Sequence, residues 1–101
     1  PDMIMSVHPI LQCTPRATSS HLKDGRKIPF VTVVTDLGEA HPWWFNKGLN
    51  LLFVPTQVMK EQGIELGLSA DNIRVCGLPL RQMFWHVDTS DERKLQLRHE
   101  L

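Results

Sequence analysis

The sequence predicts an α/β fold built on a parallel sheet. Four short apolar runs, at residues 3–7, 29–34, 50–54 and 73–76, recur along a chain of 101 residues. The first is apolar at nearly every position rather than at alternate positions, which is typical of strands covered on both faces. The segments between the runs are long enough for the crossovers of parallel strands, which need about a dozen residues or more. We therefore expect a Rossmann-like parallel sheet with flanking helices.

The elements follow in order along the chain. The run at 3–7 is the first strand, and residues 10–13 could open a helix that Pro15 limits. The run at 29–34 is the clearest strand because Phe30 and its valine neighbours favour β structure.

Two helices are expected in the second half of the chain. Thr56 follows the third strand as an N-cap, and the helix runs to about Leu66, where Gly67 ends it. After the fourth strand, Thr89 and Glu92 match a capping box, so residues 90–101 should be helical.

Composition excludes several classes of protein. Eleven Lys plus Arg balance eleven Asp plus Glu, whereas nucleic-acid binders usually carry a basic excess. No apolar run approaches the roughly 20 residues of a membrane-spanning helix. Cys13 and Cys76 are too few for a disulfide scaffold and are expected to be small core side chains. The five histidines lack metal-ligand spacing, so no metal site is expected.

Ligands of parallel α/β sheets collect in the loops after the carboxyl ends of the strands. On this argument His8, Asp36, His41 and Arg81 should share one rim of the sheet. A neutral His8 could accept a proton or bond a hydroxyl group, or it could be a structural histidine at a strand end. Asp36 could be a site carboxylate or, the simpler interpretation, a turn residue that bonds its own backbone.

Two further segments stand out. Three consecutive aromatic residues follow His41-Pro42, and such a run either fills a local core or presents an interfacial surface. The segment 16–27 is basic, with four cations, Arg16, Lys23, Arg26 and Lys27, against Asp24 alone. It is either solvated surface or a site for anionic headgroups, at about 1 kcal/mol per basic residue.

Four motifs, at residues 1–9, 30–37, 41–45 and 73–81, closely resemble those of the plant-type monogalactosyldiacylglycerol synthases. They resemble the bacterial diacylglycerol glucosyltransferases more loosely. The likeness extends from about residue 1 to residue 84, and the last helix matches more weakly. Four motifs in the same order at compatible spacings make a chance similarity improbable.

The resemblance implies a two-domain inverting glycosyltransferase of the GT-B type that transfers galactose from UDP-galactose to diacylglycerol. Residues 1–88 would be the later half of the N-terminal domain, which takes the lipid acceptor and meets the membrane. Residues 89–101 would be a helix leading towards a C-terminal nucleotide-sugar domain that this chain lacks. No cofactor is expected, because UDP-galactose is a substrate held mainly by that other domain. Peripheral association with the plastid envelope follows from the same likeness.

The resemblance also implies roles for individual residues. The positions expected to line the acceptor cleft are His8, Pro9, Thr35, Asp36, His41, Pro42, Trp44, Pro79 and Arg81. The positions expected to face diacylglycerol-bearing membrane and its anionic lipids are Arg16, Lys23, Arg26, Lys27, Trp43 and Trp44. The family's base is a histidine beside a glycine-rich loop, which this chain lacks, so no catalytic residue is assigned.

The sequence departs from the family pattern at two places and leaves two alternatives open. Trp43 stands where a smaller polar residue is expected, and Gln82 stands where a proline is common. One alternative function is a related lipid glycosyltransferase that uses UDP-glucose. The other is a non-catalytic α/β module that binds lipid or a partner.

Overall fold

The computed structural model describes residues 2–12, 28–86 and 88–100. Four strands form one sheet, and its strand order follows the sequence. The strands are β1 (Ile4–Ser6), β2 (Phe30–Val33), β3 (Leu51–Val54) and β4 (Ile73–Val75). Each neighbouring pair is parallel. Every strand lies within its predicted run, so the predicted α/β fold with a parallel sheet is confirmed.

The helix α1 (Gln57–Glu65) begins and ends where the sequence predicts. The Thr56 hydroxyl accepts a hydrogen bond from the Met59 amide at 3.2 Å. At the other end Gly67 has a φ of +91°, a conformation that glycine adopts without strain. The Leu68 amide then donates to the Gly63 carbonyl at 3.0 Å, which satisfies one of the last free carbonyls of the helix.

The helix α2 (Asp91–Glu100) is capped by Ser90 and not by the predicted pair of Thr89 and Glu92. The Ser90 hydroxyl accepts from the Arg93 amide at 3.3 Å. The physical reason is a tight turn, in which the Ser90 amide donates to Asp88 Oδ1 at 2.9 Å and brings Ser90 to the cap position. This backbone hydrogen bond is also the main cause that lowers the pKa of Asp88.

In the parts of the chain that the structure describes, four short 3-10 turns connect the larger elements. They are Pro9–Gln12, Pro42–Trp44, Ala70–Asn72 and Gln82–Phe84. The first stands where a helix opening was predicted at residues 10–13. The first two begin at the proline of a His-Pro pair, and they form the candidate site described below.

The core lies on one face of the sheet, beneath α1. Thr32, Leu52 and Ile73 are side by side on this face, since each is a register partner of the next. A Cβ added at Gly63 would lie 2.9 Å from the Ile73 Cδ1 atom, so the glycine lets the helix approach the sheet. The buried core residues are Phe30, Val34, Ala40, Trp44, Phe45, Leu49, Leu52, Val54, Met59, Leu68 and Ile73.

The predicted burial of the first strand on both faces is wrong. Met3, Met5 and Val7 are each at least half exposed, whereas Ser6, on the opposite face, is buried. The reason is that the described residues leave the face of β1 that carries these three side chains uncovered.

The cysteine prediction is wrong for Cys76. Its side chain is exposed, and the residue directly follows the end of β4. Cys13 lies outside the described residues.

Candidate functional site

The candidate site lies at the edge of the sheet where the four parallel strands end, here called the carboxyl rim. His8 follows the end of β1 by two residues, and Asp36 follows the end of β2 by three. His41 belongs to the connection between β2 and β3, which also starts at this edge. The parallel topology brings His8 and Asp36 to the carboxyl rim, and the hydrogen bond from the His41 amide to Asp36 Oδ2 at 3.1 Å keeps His41 beside Asp36.

His8 begins the first 3-10 turn, and residues 8–12 are called the His8 turn. The His8 Nδ1 atom accepts a hydrogen bond from the Ile10 amide at 3.2 Å. The His8 carbonyl oxygen accepts from Ser6 Oγ at 3.2 Å and from Gln12 Nε2 at 3.1 Å. The backbone and the imidazole of His8 are thus both held in place, while its side chain is exposed.

A buried polar network lies directly beneath the His8 turn. Gln12 and Thr32 are fully buried, and Thr32 Oγ1 lies 2.7 Å from Gln12 Oε1. Gln12 Nε2 also donates to Ser6 Oγ at 3.0 Å. The amide group of Gln12 therefore satisfies two hydroxyl groups and the His8 carbonyl at once.

Sequence reasoning missed this network, although a signal was present. Ser6 and Thr32 are register partners on neighbouring strands, and each is a hydroxyl residue inside an otherwise apolar run. Two such residues side by side on a buried face require a polar partner. Gln12 is the partner that the chain supplies.

His41 begins the second 3-10 turn, and residues 41–44 are called the His41 turn. The His41 Nδ1 atom accepts from the Trp43 amide at 3.2 Å, which repeats the arrangement at His8. The imidazole also lies against the Trp43 ring, with ring centroids 5.3 Å apart and planes at 75°. The His41 side chain is exposed, like that of His8.

Asp36 holds the His41 turn against the sheet. Its Oδ2 atom accepts from Trp44 Nε1 at 2.7 Å and from the His41 amide at 3.1 Å. These donors are eight and five residues away, so Asp36 is neither a simple turn residue nor a fully free site carboxylate. The side chain of Gln62 on α1 adds a third attachment by donating to the Ala40 carbonyl at 3.1 Å.

The expectation that Trp44 faces a membrane is wrong. Its side chain is fully buried in the core, whereas that of Trp43 is 60% exposed. The Trp44 indole belongs to the hydrophobic core and donates its Nε1–H to Asp36, whereas the Trp43 ring lies against His41. The core interpretation therefore applies to Trp44 and Phe45, and an interfacial role for Trp43 stays a prediction.

The structure brings some of the expected cleft residues together and leaves others apart. The two 3-10 turns, 9–12 and 42–44, are in contact, which places Pro9 and Pro42 in one cluster. Pro79 and Arg81 follow β4, the strand farthest from β1 in the sheet. They are exposed, and the Arg81 side chain makes no hydrogen bond or ion pair with any residue the structure describes.

The remaining predicted site residues are Thr35, which the structure describes, and four cations, which it does not. Thr35, next to Asp36, is exposed at the rim. The four cations of the segment 16–27 lie outside the described residues. In the described parts of the chain, no three His, Cys, Asp or Glu side chains are grouped as metal ligands would be. No helix in those parts has the length and apolarity to cross a membrane.

Comparison with known proteins identifies the family. The sequence profile of the family described as "Monogalactosyldiacylglycerol (MGDG) synthase" matches residues 1–80. Monogalactosyldiacylglycerol synthase of Spinacia oleracea is 39% identical over 101 residues, which is 100% of this chain and 19% of the relative. Monogalactosyldiacylglycerol synthase 2 of Arabidopsis thaliana is 38% identical over 84 residues, 83% of this chain and 18% of the relative. Both relatives are named chloroplastic.

The chain spans about a fifth of the length of these relatives. The profile match extends through every segment of the carboxyl rim described above except Arg81, including both His-Pro turns and Asp36. The chain belongs to the monogalactosyldiacylglycerol synthase family.

Proposed function

We propose that this chain is the acceptor-side part of an enzyme that transfers galactose from UDP-galactose to the free hydroxyl of diacylglycerol, with inversion at the sugar carbon. The observation that carries the proposal is the family match over residues 1–80. That match covers the strands of the sheet and the two His-Pro turns at its carboxyl rim. The names of the relatives support a plastid location for the full-length protein.

The chemistry of the rim supports an acceptor that is part polar and part apolar. His8 and His41 present exposed imidazoles, and Trp43 presents an indole that is 60% exposed. Indole rings favour the boundary between an apolar phase and water. A glycerolipid has both kinds of surface and stays in the bilayer, so the enzyme has to bring its rim to the membrane.

On this proposal, different parts of the enzyme bind the lipid acceptor, bind the nucleotide sugar and supply the base. Residues 1–88 form the later half of the acceptor domain, and 89–101 lead towards the domain that holds the nucleotide sugar. The base that takes the acceptor proton is supplied by residues outside this chain. The basic segment 16–27 adds attraction to anionic lipid, which salt weakens because the screening length is about 8 Å at physiological ionic strength.

The first test is sugar transfer by the full-length protein. Diacylglycerol in mixed micelles is supplied with UDP-galactose or with UDP-glucose, and the glycolipid product is measured. We expect galactolipid as the main product. Preferential use of glucose would contradict the galactosyl assignment, and transfer from neither donor would favour the non-catalytic lipid-binding module.

The contribution of Trp43 is tested by Trp43→Ala in the same protein. We expect weaker binding to neutral phosphatidylcholine vesicles and lower turnover, with an unchanged melting temperature because the indole is largely exposed. Ile64→Ala is the matched control, since Ile64 is 41% exposed near the far end of α1, away from the carboxyl rim. Equal effects of the two substitutions would contradict a membrane-facing role for Trp43.

A further inference from the structure

The two edges of the sheet differ in how their backbone groups are satisfied. Among the described residues the edge strands are β1 and β4. In a parallel ladder, alternate residues of a strand direct both their N–H and their C=O groups to the same neighbouring strand. An edge strand therefore leaves the backbone groups of every second residue facing outward, where another strand can pair with them.

The outward groups of β4 are largely occupied. The Cys76 amide donates to β3 at 3.0 Å, so Arg74 also faces β3 and Ile73 faces outward. The Ile73 carbonyl accepts from Lys60 Nζ on α1 and from Arg74 Nη1, each at 3.3 Å. The Ile73 amide donates to the Ala70 carbonyl. Positive side chains placed on an edge strand keep other strands from pairing with it.

The edge of β1 has no such protection among the described residues. The Ile4 amide donates to the Pro29 carbonyl beside β2 at 2.9 Å, so Ile4 faces β2 and the backbone groups of Met5 face the free edge. Met3, Met5 and Val7 are between 50% and 57% exposed. From residue 2 to residue 12 the sole Asp, Glu, Lys or Arg is the aspartate at position 2. This edge is therefore open, apolar and without a cation.

The described connections between strands leave the neighbouring face of the sheet uncovered. Trp44, between β2 and β3, and Met59 of α1, between β3 and β4, belong to one core cluster, so both connections lie on the same face. The strand order follows the sequence, and right-handed connections in such a series all lie on one face. Cover for Met3, Met5 and Val7 therefore has to come from elsewhere.

We propose that in the full-length protein a parallel apolar strand from a part of the polypeptide outside these 101 residues pairs with the free edge of β1, and that a helix attached to this strand covers Met3, Met5 and Val7. The chain spans about a fifth of the length of its relatives, so members of the family have polypeptide available for this strand. The inference concerns the assembly of the sheet and does not rest on the proposed function.

The geometry favours such a strand over a second copy of this chain. Each described strand pair is parallel, whereas a second copy that met β1 about a two-fold axis would pair with it antiparallel. A parallel strand needs a crossover connection, usually a helix, and that helix also supplies the missing cover. Pairing within one polypeptide has a millimolar effective concentration, which a strand of three residues requires.

The first experiment measures amide hydrogen exchange in the full-length protein, by mass spectrometry with fragmentation to single residues. It compares Met5 and Val75, which face outward from β1 and from β4. We expect the Met5 amide to exchange about tenfold more slowly than that of Val75, because a new ladder bond protects it. Equal rates would overturn the inference. Protection of Met5 that disappears on dilution, together with a dimer in sedimentation, would also overturn it and would assign the edge to a second copy.

The second experiment compares the melting temperatures of Met5→Lys and Val58→Lys in the same protein. Val58 lies on α1 and is 72% exposed, so its substitution should leave the melting temperature unchanged. Met5→Lys should lower it by about 5–10 °C, because the ammonium group is buried under the covering helix without a partner. A Met5→Lys variant that melts like Val58→Lys would show an open face and overturn the inference. Hydrogen exchange needs the parent protein alone, so it remains a test if Met5→Lys does not fold.

Discussion

The His8 turn and the His41 turn have the same local geometry but different supports. Both begin with His-Pro, and both use Nδ1 to accept a backbone N–H two residues ahead. The first turn ends at Gln12, a fully buried neutral amide that joins the turn to Ser6 and Thr32. Beneath the second lies Asp36, a half-buried carboxylate bonded to an indole. The geometry of each turn is therefore set by contacts within the turn, whereas its position in the fold depends on residues distant in sequence.

The hydrogen bonds of Gln12 and those of Asp36 differ in their sensitivity to charge and salt. The hydrogen bonds of Gln12 join neutral groups in the interior, so solvent charge and salt have little access to them. The bonds of Asp36 have an ionised acceptor, and such bonds are shorter and about twice as strong as neutral ones. The Trp44 Nε1 to Asp36 distance of 2.7 Å fits this class. The His41 turn is consequently the one that depends on packing and charge together.

The largest effect is expected from Trp44→Ala, which removes a buried indole and one of the two hydrogen bonds that tie the His41 turn to Asp36. The side chain is fully buried, and truncation of such an aromatic residue costs about 3–5 kcal/mol of unfolding free energy. Urea unfolding measures the loss. Trp44→Phe is the control, because it keeps most of the volume and removes only the donor to Asp36. A loss below about 1 kcal/mol for Trp44→Ala would contradict the burial of this indole.

A smaller effect is expected from Gln12→Leu, which removes the support of the His8 turn. Thr32 loses its acceptor and Ser6 loses a donor in the interior, at a cost of about 2–3 kcal/mol. Adding Thr32→Val to this variant removes the stranded hydroxyl, so the double variant should recover part of the stability in urea unfolding. A double variant less stable than Gln12→Leu alone would show that the network is not what supports the turn.

The sheet was predictable because each strand is a local apolar run, and the crossover lengths already implied parallel pairing. The ends of α1 were predictable for the same reason, since Thr56 and Gly67 act within one turn of the helix. Trp44 could not be assigned from sequence, because its burial depends on Asp36, eight residues away, and on the packing of the sheet. Gln12 was missed because its two hydroxyl partners meet it only after β1 and β2 pair.

A second carboxylate that accepts a backbone N–H bond, Asp88, lies just before α2. Asp88, like Asp36, accepts a backbone N–H, in this case that of Ser90 at 2.9 Å, but it is exposed. This bond lowers the pKa of Asp88 from its ordinary value. Because the pKa is lower in the folded state, the carboxylate stabilises the helix start above the unfolded pKa, and this stability is lost as the pH falls through the folded pKa.

The smallest effect is therefore expected at Asp88, where solvent screens the carboxylate. The Ser90 amide proton, followed by NMR from about pH 6 to about pH 2, should shift with a midpoint below the ordinary Asp value of about 3.9. Asp88→Asn removes the ionising group and should abolish this shift, while the helical signals of residues 91–100 weaken only slightly. A midpoint above the ordinary value would mean that the turn before α2 binds the protonated carboxyl group. In that case the capping by Ser90 would have a different origin from the support that Asp36 gives to His41.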